Sequence, residues 1–402
     1  MVIKVLAIGD ICNLMVTISK YTKKSEIHLI NFPKDGAGIF TYEDGVELFS
    51  SWKIVEQLKK INGIKHNYDI CIVTGTGDRI AYLADLNYIS YYVGRDIDAP
   101  RFIKNSKEEW FNEALHKLNI FERKFYKNVF NNAIAHVAGT WVFTHLEKYT
   151  KNGIRMDCVP IDTDLFNNKT KPISKEKKKF TFFSPQRIGM PKGVDLIWKS
   201  LPLCKSDFEI IQVNWFDVST SEELKIKEEM LKNVPPQVKL VPMINRTDMP
   251  RYYNFADAIL GNMRIGTFAL VELEGIFCGK PVIQYTNTNM KIRMDGQDVT
   301  PPFMPYSNEP KDIAELIDKV VTSKEFRDEL FNKQYDFAKI LSDPHVVAEW
   351  WDNLFEEMVN KHKSITKNTS RIKLKFRLWY FLIANRLYIK KIRKVFLQTQ
   401  GK

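Results

Sequence analysis

The feature that most constrains this chain is an alternation: apolar runs of about four to six residues are separated by longer stretches with helical periodicity. Ile3–Ile8, Ile27–Asn31, Ile70–Val73 and Ile89–Val93 begin the series, and Val142–Thr144 and Met156–Pro160 extend it. Runs this short, with helices between most of them, predict parallel strands in βαβ units. After Ile161 the polar, lysine-rich segment Asp162–Lys179 reads as a solvated linker. A second series follows, with strands expected at Phe180–Ser184, Phe208–Val213, Val238–Val241, Ala258–Leu260 and Val282–Tyr285, and helices at Glu222–Leu231 and Leu270–Phe277. Two such α/β units predict a cleft between them. The divisions expected are residues 1–165, residues 166–343, a closing helix over 344–362 and a tail over 363–402. Val346, Val347, Trp350, Trp351, Leu354 and Phe355 recur at helical spacing in the closing helix.

Charge is distributed unevenly. The net charge is +12, from 60 Lys and Arg against 48 Asp and Glu. Lys361–Lys402 holds 13 of those bases and no acid, which leaves 47 bases against 48 acids and a net of −1 over the first 360 residues. A basic groove spread over the fold, the footprint of nucleic-acid binding, is therefore not expected. The five cysteines, at 12, 71, 158, 204 and 278, include no CxxC pair, so neither a zinc knuckle nor a disulfide framework is suggested and a reducing compartment is. The opening MVIKVLAIGD reads as a strand rather than a signal peptide, and no apolar run reaches the roughly 18 to 20 residues that span a bilayer. A cytoplasmic chain, soluble or peripheral to a membrane, is the expectation.

Two segments can carry chemistry. In SPQRIGMPKGVDLI, residues 184–197, a strand ends, Arg187 and Lys192 follow in a Gly- and Pro-containing loop, and Gly193 opens a helix. Two cations beside helix N-terminal amides suit a diphosphate, although a surface loop with two solvated bases has the same sequence. In GTFALVELEGIFCGKPVI, residues 266–283, Glu272 and Glu274 fall on different sides of an expected helix. A carboxylate there can accept from vicinal hydroxyls of a ribose or sugar, or it can sit on a solvated helix face.

With these segments in hand, residues 180–285 resemble the donor-binding half of the retaining, nucleotide-sugar-dependent glycosyltransferases of family four, whose GT-B fold pairs two facing Rossmann-like domains. The family's G-R-x4-K-G loop matches Arg187, Lys192 and Gly193, which the resemblance makes diphosphate contacts that also serve catalysis. Its E-x7-E signature resembles the segment from Gly266 through Thr267, Phe268, Ala269 and Leu270 to Glu274, and implies that Glu274 holds the donor ribose. CVPIDTDLF at 158–166 and ADAIL at 256–260 resemble flanking elements, while VGRDID at 93–98 resembles HGSDI. In the N-terminal half the resemblance points to Gly75, Gly77 and Asp96 at the cleft. Three departures stand out: Gly266 replaces the first signature Glu, Val93 replaces the His, and QYTNTNMKIRMDG replaces a GGxxE donor loop. They fit either an unusual donor or acceptor, or lost catalysis.

The resemblance implies transfer of a sugar, with retention, from a nucleotide-diphosphate sugar to a lipid-linked or membrane-proximal glycan. A non-catalytic GT-B partner protein and a nucleotide-sugar epimerase stay open. No metal or other cofactor is expected. Asp96-Ile97-Asp98 and Asp162-Thr163-Asp164 look like metal-binding DxD pairs but read better as turn-forming aspartates. The seven histidines show no HExxH spacing, and His136 and His145, flanking a strand-like segment, read as packing or surface residues.

The tail RIKLKFRLWYFLIANRLYIKKIRKVFLQ, residues 371–398, aligns Phe376, Trp379 and Ile383 on one helical face, but Arg386 and Lys390 continue that stripe. The favoured expectation is a helix lying on an anionic membrane, with Trp379, Tyr380 and Tyr388 at the interface and Arg377, Lys390 and Lys391 supplying charge. A helix docked on the body is the alternative. Nucleic acid, with aromatics among bases, is an unlikely partner.

Overall fold

In the computed structural model, which describes residues 2–33, 45–98, 100–103, 118–216, 221–294 and 296–400, the apolar runs build two parallel sheets. The chain divides into two units, Met1–Met156 with Ala348–Lys402, and Asp157–Val347.

The first unit comprises β1 (Ile3–Ile8), α1 (Leu14–Tyr21), β2 (Ser25–Asn31), β3 (Glu47–Leu48), α2 (Ile54–Ile64), β4 (Ile70–Thr74), α3 (Gly77–Leu83), β5 (Tyr88–Tyr92), α4 (Arg95–Asp98), α5 (Ile120–Asn132), β6 (Ala135–Ala138), α6 (Thr140–Leu146) and β7 (Gly153–Arg155). Its seven strands lie in the order β3-β2-β1-β4-β5-β6-β7. Val5 to Ile8 of β1 and every residue of β4 are buried, because helices cover both faces of the sheet and a polar side chain on either face would be desolvated. A reciprocal cap starts α5: Asn119 Oδ1 accepts from the Glu122 amide at 2.9 Å, and Glu122 Oε2 accepts from the Asn119 amide at 3.1 Å.

The second unit comprises β8 (Phe180–Ser184), α7 (Val194–Ser200), β9 (Phe208–Val213), α8 (Ser221–Lys232), β10 (Val238–Val241), α9 (Met249–Phe255), β11 (Ala258–Leu260), α10 (Leu270–Phe277), β12 (Val282–Ile283), the hairpin β13 (Ile292–Met294) with β14 (Gln297–Val299), α11 (Pro310–Thr322) and α12 (Lys324–Ser342). The sheet order is β10-β9-β8-β11-β12. Both sheets reverse direction of growth once, at β1/β4 and at β8/β11. In open α/β sheets, ligands bind beyond the carboxyl ends of the strands at that reversal.

Two further helices complete the chain, α13 (Pro344–His362) and α14 (Arg371–Gln400); from Ala348 onward they count with the first unit. The first unit's opening part thus ends at Met156, short of the boundary expected at 165. The Met156 amide makes the last bond to that sheet, donating to the Ala138 carbonyl at 2.9 Å.

Four local expectations are corrected. Val142–Thr144 lies inside α6, where Val142 and Leu146 are buried one turn apart beside Ile97 and Phe130; three apolar residues cannot by themselves separate a strand from a short helix. Met156–Pro160 is not a strand, since the edge strand β7 ends at Arg155. His136 lies within β6 and His145 within α6. The segment after Ile161 is not fully solvated: Phe166 is 1% exposed in the second unit's core, and buried Asp162 closes a turn by accepting the Leu165 amide at 3.3 Å.

Candidate functional site

At the β8/β11 reversal the loop leaving β8 carries Gln186, Arg187, a 3-10 turn over Met190–Lys192, and Gly193. Gln212 fastens this loop: its Nε2 donates to the carbonyls of Ser184 at 3.1 Å and Gln186 at 2.8 Å. The loop leaving β11 crosses it, with the Met263 amide donating to the Lys192 carbonyl at 3.0 Å. Gly193 has φ +71°, and a Cβ there would lie 2.9 Å from Met263 backbone, so only glycine permits this approach. The Arg187 guanidinium stands over the Trp215 ring at 5.5 Å, and Arg187 and Lys192 are half-buried.

Glu272 joins the two loops to α10. Fully buried, it accepts from Gln186 Nε2 at 2.7 Å and the Asn262 amide at 2.8 Å on one oxygen, and from the Ala269 amide at 2.9 Å on the other. The last contact is the helix-borne half of a capping box; Ala269 has no side-chain acceptor to return it. Burial pushes the Glu272 carboxyl above its ordinary range, against the opposing pull of the Lys192 charge and the backbone donors. Glycine at 261 follows from this packing, because a Cβ there would meet Glu272 Oε1 at 2.7 Å.

Glu274 points to the other side of α10, as the helical spacing requires. It is 3% exposed and takes Arg246 Nη1 at 2.8 Å on one oxygen and the Tyr253 hydroxyl at 3.1 Å on the other. Arg246 also packs over the Phe166 ring at 4.8 Å. Glu274 therefore sits in an internal ion pair, which sequence reading missed because Arg246 follows β10 and is distant in the chain. Arg264 was missed likewise: its Nη2 reaches both Asp195 oxygens, at 3.0 and 2.8 Å, and its Nε donates to the Met190 carbonyl at 2.6 Å. That pair neutralises the acid in the first turn of α7.

The remaining expected donor residues divide. Thr267 is 4% exposed, and its hydroxyl has no hydrogen-bond partner within the protein. The Phe268 ring packs between Phe303 and Phe337, with centroids at 6.1 and 5.8 Å, so residue 268 offers a ligand backbone only. Leu270 packs partly against the same core. Gly266 has φ +79°, and a Cβ there would lie 2.6 Å from the Cβ of Asn287, whose amide donates to the Gly266 carbonyl at 2.9 Å. Two departures noted in the sequence, Gly266 and the segment 284–296, meet where Gly266 packs against Asn287.

In the first unit, Gly75 and Gly77 follow β4 at its carboxyl end. Gly75 has φ +54°, and a Cβ at Gly77 would come within 2.2 Å of the Ile8 carbonyl of β1. Asp96 Oδ1 accepts from the Gly94 amide at 3.2 Å, a turn contact. The structure collects Arg187, Lys192, Gly193, Thr267 and Glu274 in the second unit, whereas Gly75, Gly77 and Asp96 belong to the first. No cluster of three or more His, Cys, Asp or Glu suited to a metal ion occurs among the described residues.

The C-terminal helix docks on the first unit. Phe381 and Ala384 are 5% and 1% exposed, and the Phe381 ring lies 5.0 Å from Phe125. Arg377 pairs with buried Asp85 at 3.1 Å and covers the Tyr82 ring at 4.5 Å, while the Tyr380 hydroxyl donates to the Phe121 carbonyl at 3.1 Å. Arg377 and Tyr380, expected at a membrane, thus make contacts with the body of the first unit. Trp379 is 61% exposed, alongside Phe376, Ile372, Leu382 and Ile383. The side chains of Tyr388, Lys390 and Lys391 lie outside the described residues. Among those residues no helix is long and apolar enough to cross a membrane.

Residues 166–337 match the family of glycosyl transferases group 1. Solved structures with the same fold include Anabaena HepE in complex with UDP and glucose, at 15% identity and a TM-score of 0.63, covering 88% of this chain and 100% of that one. Sucrose-phosphate synthase from Thermosynechococcus elongatus reaches a TM-score of 0.63 at 14% identity, over 89% of this chain and 100% of its own. An alpha-glucosyltransferase in complex with UDP does the same at 9% identity, over 89% and 100%. No curated protein sequence matches the chain.

Proposed function

We propose that this GT-B glycosyltransferase, whose residues 166–337 match glycosyl transferases group 1, moves a sugar from a nucleotide-diphosphate donor to a membrane-proximal, lipid-linked glycan with retention of configuration. The observation that carries the donor side is the convergence of Arg187, Lys192 and α10 at the strand-order reversal of the second sheet. Two cations there offset the charge of a diphosphate, and the Thr267 hydroxyl adds a donor. Each oxygen of Glu274 holds one internal partner and keeps a lone pair with which to accept from a ribose hydroxyl.

No side chain is assigned as general base. In the proposed step the acceptor hydroxyl attacks the anomeric carbon on the face from which the diphosphate leaves, and the departing β-phosphate takes the hydroxyl proton. Arg187 and Lys192 stabilise that leaving group, so no metal is required, and catalysis rests on positioning and charge neutralisation. The first unit, with the glycine-bearing ends of β1 and β4, receives the acceptor.

Calorimetry with UDP and with nucleotide-diphosphate sugars tests the donor assignment. Arg187→Ala and Lys192→Ala should each weaken binding by about 1.5–3 kcal/mol, roughly 10- to 150-fold; unchanged affinity in both variants sinks it. A second reading, a non-catalytic partner protein on the same fold, is favoured by Val93 and by the way Asn287 fills the space beside Gly266. Absence of both binding and turnover across the donor screen would establish that reading instead.

A further inference from the structure

The first unit holds an open cavity of about 410 Å³. It is lined by Trp52, Ile54 and Val55 at the start of α2, Arg79 in the first turn of α3, and Phe381 and Leu382 of α14. Its walls are mostly hydrocarbon, yet Arg79 is a cation within it, and the buried Arg79 Nε has no hydrogen-bond partner. Lys53 and Glu56, also lining the cavity, pair with each other at 3.3 Å, and Glu56 takes the Ser51 hydroxyl at 2.6 Å as well. Their charges cancel, which leaves Arg79, beside the Asp78 carboxylate, as the lining cation whose Nε still lacks a hydrogen-bond acceptor. A buried guanidinium N–H without an acceptor is complemented by an oxyanion. The surroundings extend the pattern: Trp52 is 42% and Leu382 40% exposed, Phe376 and Trp379 lie further along α14, and Arg371, Lys373 and Lys375 are exposed among them.

A free phosphate would satisfy Arg79 and leave the walls formed by Trp52, Phe381 and Leu382 to water. A neutral hydrocarbon would do the reverse. A molecule that joins a phosphate to an alkyl chain matches both. We propose that this cavity seats the phosphate and first methylenes of an anionic membrane lipid, with Arg79 as its counter-ion. The inference rests on the membrane reading of α14 and changes its content, from general attraction of a basic helix to a lipid held at a defined place.

Full-length protein is sedimented with vesicles of phosphatidylcholine alone and of phosphatidylcholine containing phosphatidylglycerol, and compared with Arg79→Gln, Leu382→Asp and, as a control for surface charge, Lys373→Gln. Binding should require phosphatidylglycerol, fall at least about tenfold in Arg79→Gln and about fivefold or less in Lys373→Gln, and resist competition by inorganic phosphate. Leu382→Asp should lose binding while keeping the wild-type melting temperature, and it decides the matter if Arg79→Gln does not fold. Equal losses in Arg79→Gln and Lys373→Gln would reduce the effect to surface charge and overturn the lipid site, as would displacement by inorganic phosphate. If the wild type binds anionic vesicles and Arg79→Gln binds them equally, the site falls and the membrane reading stands. If the wild type ignores both vesicles, both fall.

Discussion

At Gly266, a φ of +79° and an Asn287 Cβ only 2.6 Å from where a side chain would begin make the residue a consequence of backbone path. Gly266→Ala should destabilise the protein by about 1–3 kcal/mol, seen as a lower urea midpoint, because the left-handed conformation and the contact must both be relieved. Gly266→Glu should fare no better, so introducing the carboxylate of the E-x7-E signature that this segment resembles would also require replacing Asn287. At Glu274 the sequence indicated a carboxylate and its helix face, yet gave no sign of its partners. Arg246 and Tyr253 reach it from the elements after β10, and that convergence exists only in three dimensions. Removing one member of a pair exposed only 14% and 3% leaves a buried charge, so Arg246→Ala should cost about 3–5 kcal/mol. A double-mutant cycle with Glu274→Gln should show strong coupling; additive losses would mean that the two residues act independently. Arg187 and Lys192 were legible because loop cations beside glycine are a local pattern. Glu272 was noticed, but its three donors were not.

Among the elements, the long apolar runs were plain in the sequence and the short ones were not. β6 is only Ala135–Ala138, with a histidine at its second position, and a four-residue strand carrying a titratable group gives no clean periodicity. The histidine is 5% exposed, stacked on Phe130 at 4.2 Å and bonded through Nδ1 to the Tyr92 hydroxyl at 3.0 Å. Burial first, and the Lys127 charge second, pull its pKa down to about 4. With the folded value below the unfolded one, the unfolded chain takes up the proton first as pH falls. His136 therefore costs nothing above about pH 6.5, and about 3 kcal/mol of stability is lost as pH drops from there to 4. His136→Phe keeps the stack and should flatten the urea midpoint between pH 6.5 and 4; a slope equal to wild type would assign the acid sensitivity elsewhere. In α14 the ambiguity of the apolar stripe has a physical source, since the helix uses two faces. Phe381 and Ala384 face the body, whereas Phe376 and Trp379 face outward. Phe381→Ala should lower stability by about 3–5 kcal/mol, while Phe376→Ser should leave the melting temperature within about 1 °C.

For the whole molecule, the sequence arithmetic placed the basic excess in the last 42 residues, and the structure shows that their first part is packed into the unit built by residues 1–156. Composition could locate the charge but could not tell a detached tail from a docked helix, because the contacts that decide it join Arg377 to Asp85 and Tyr380 to Phe121, hundreds of residues apart in the chain. The chain passes between its units twice, after Met156 and after Val347, and all the residues proposed for donor binding lie between those points. This partition has a calorimetric consequence. Two units with separate cores are expected to unfold in two transitions, of which UDP should shift one: at a hundredfold excess over Kd it adds about 2.7 kcal/mol to the unit that binds it, roughly 5–10 °C for a domain of that size. Phe381→Ala should lower the other transition and leave the UDP shift intact. A single transition, moved by both the ligand and the substitution, would contradict the assignment of donor binding to the second unit alone.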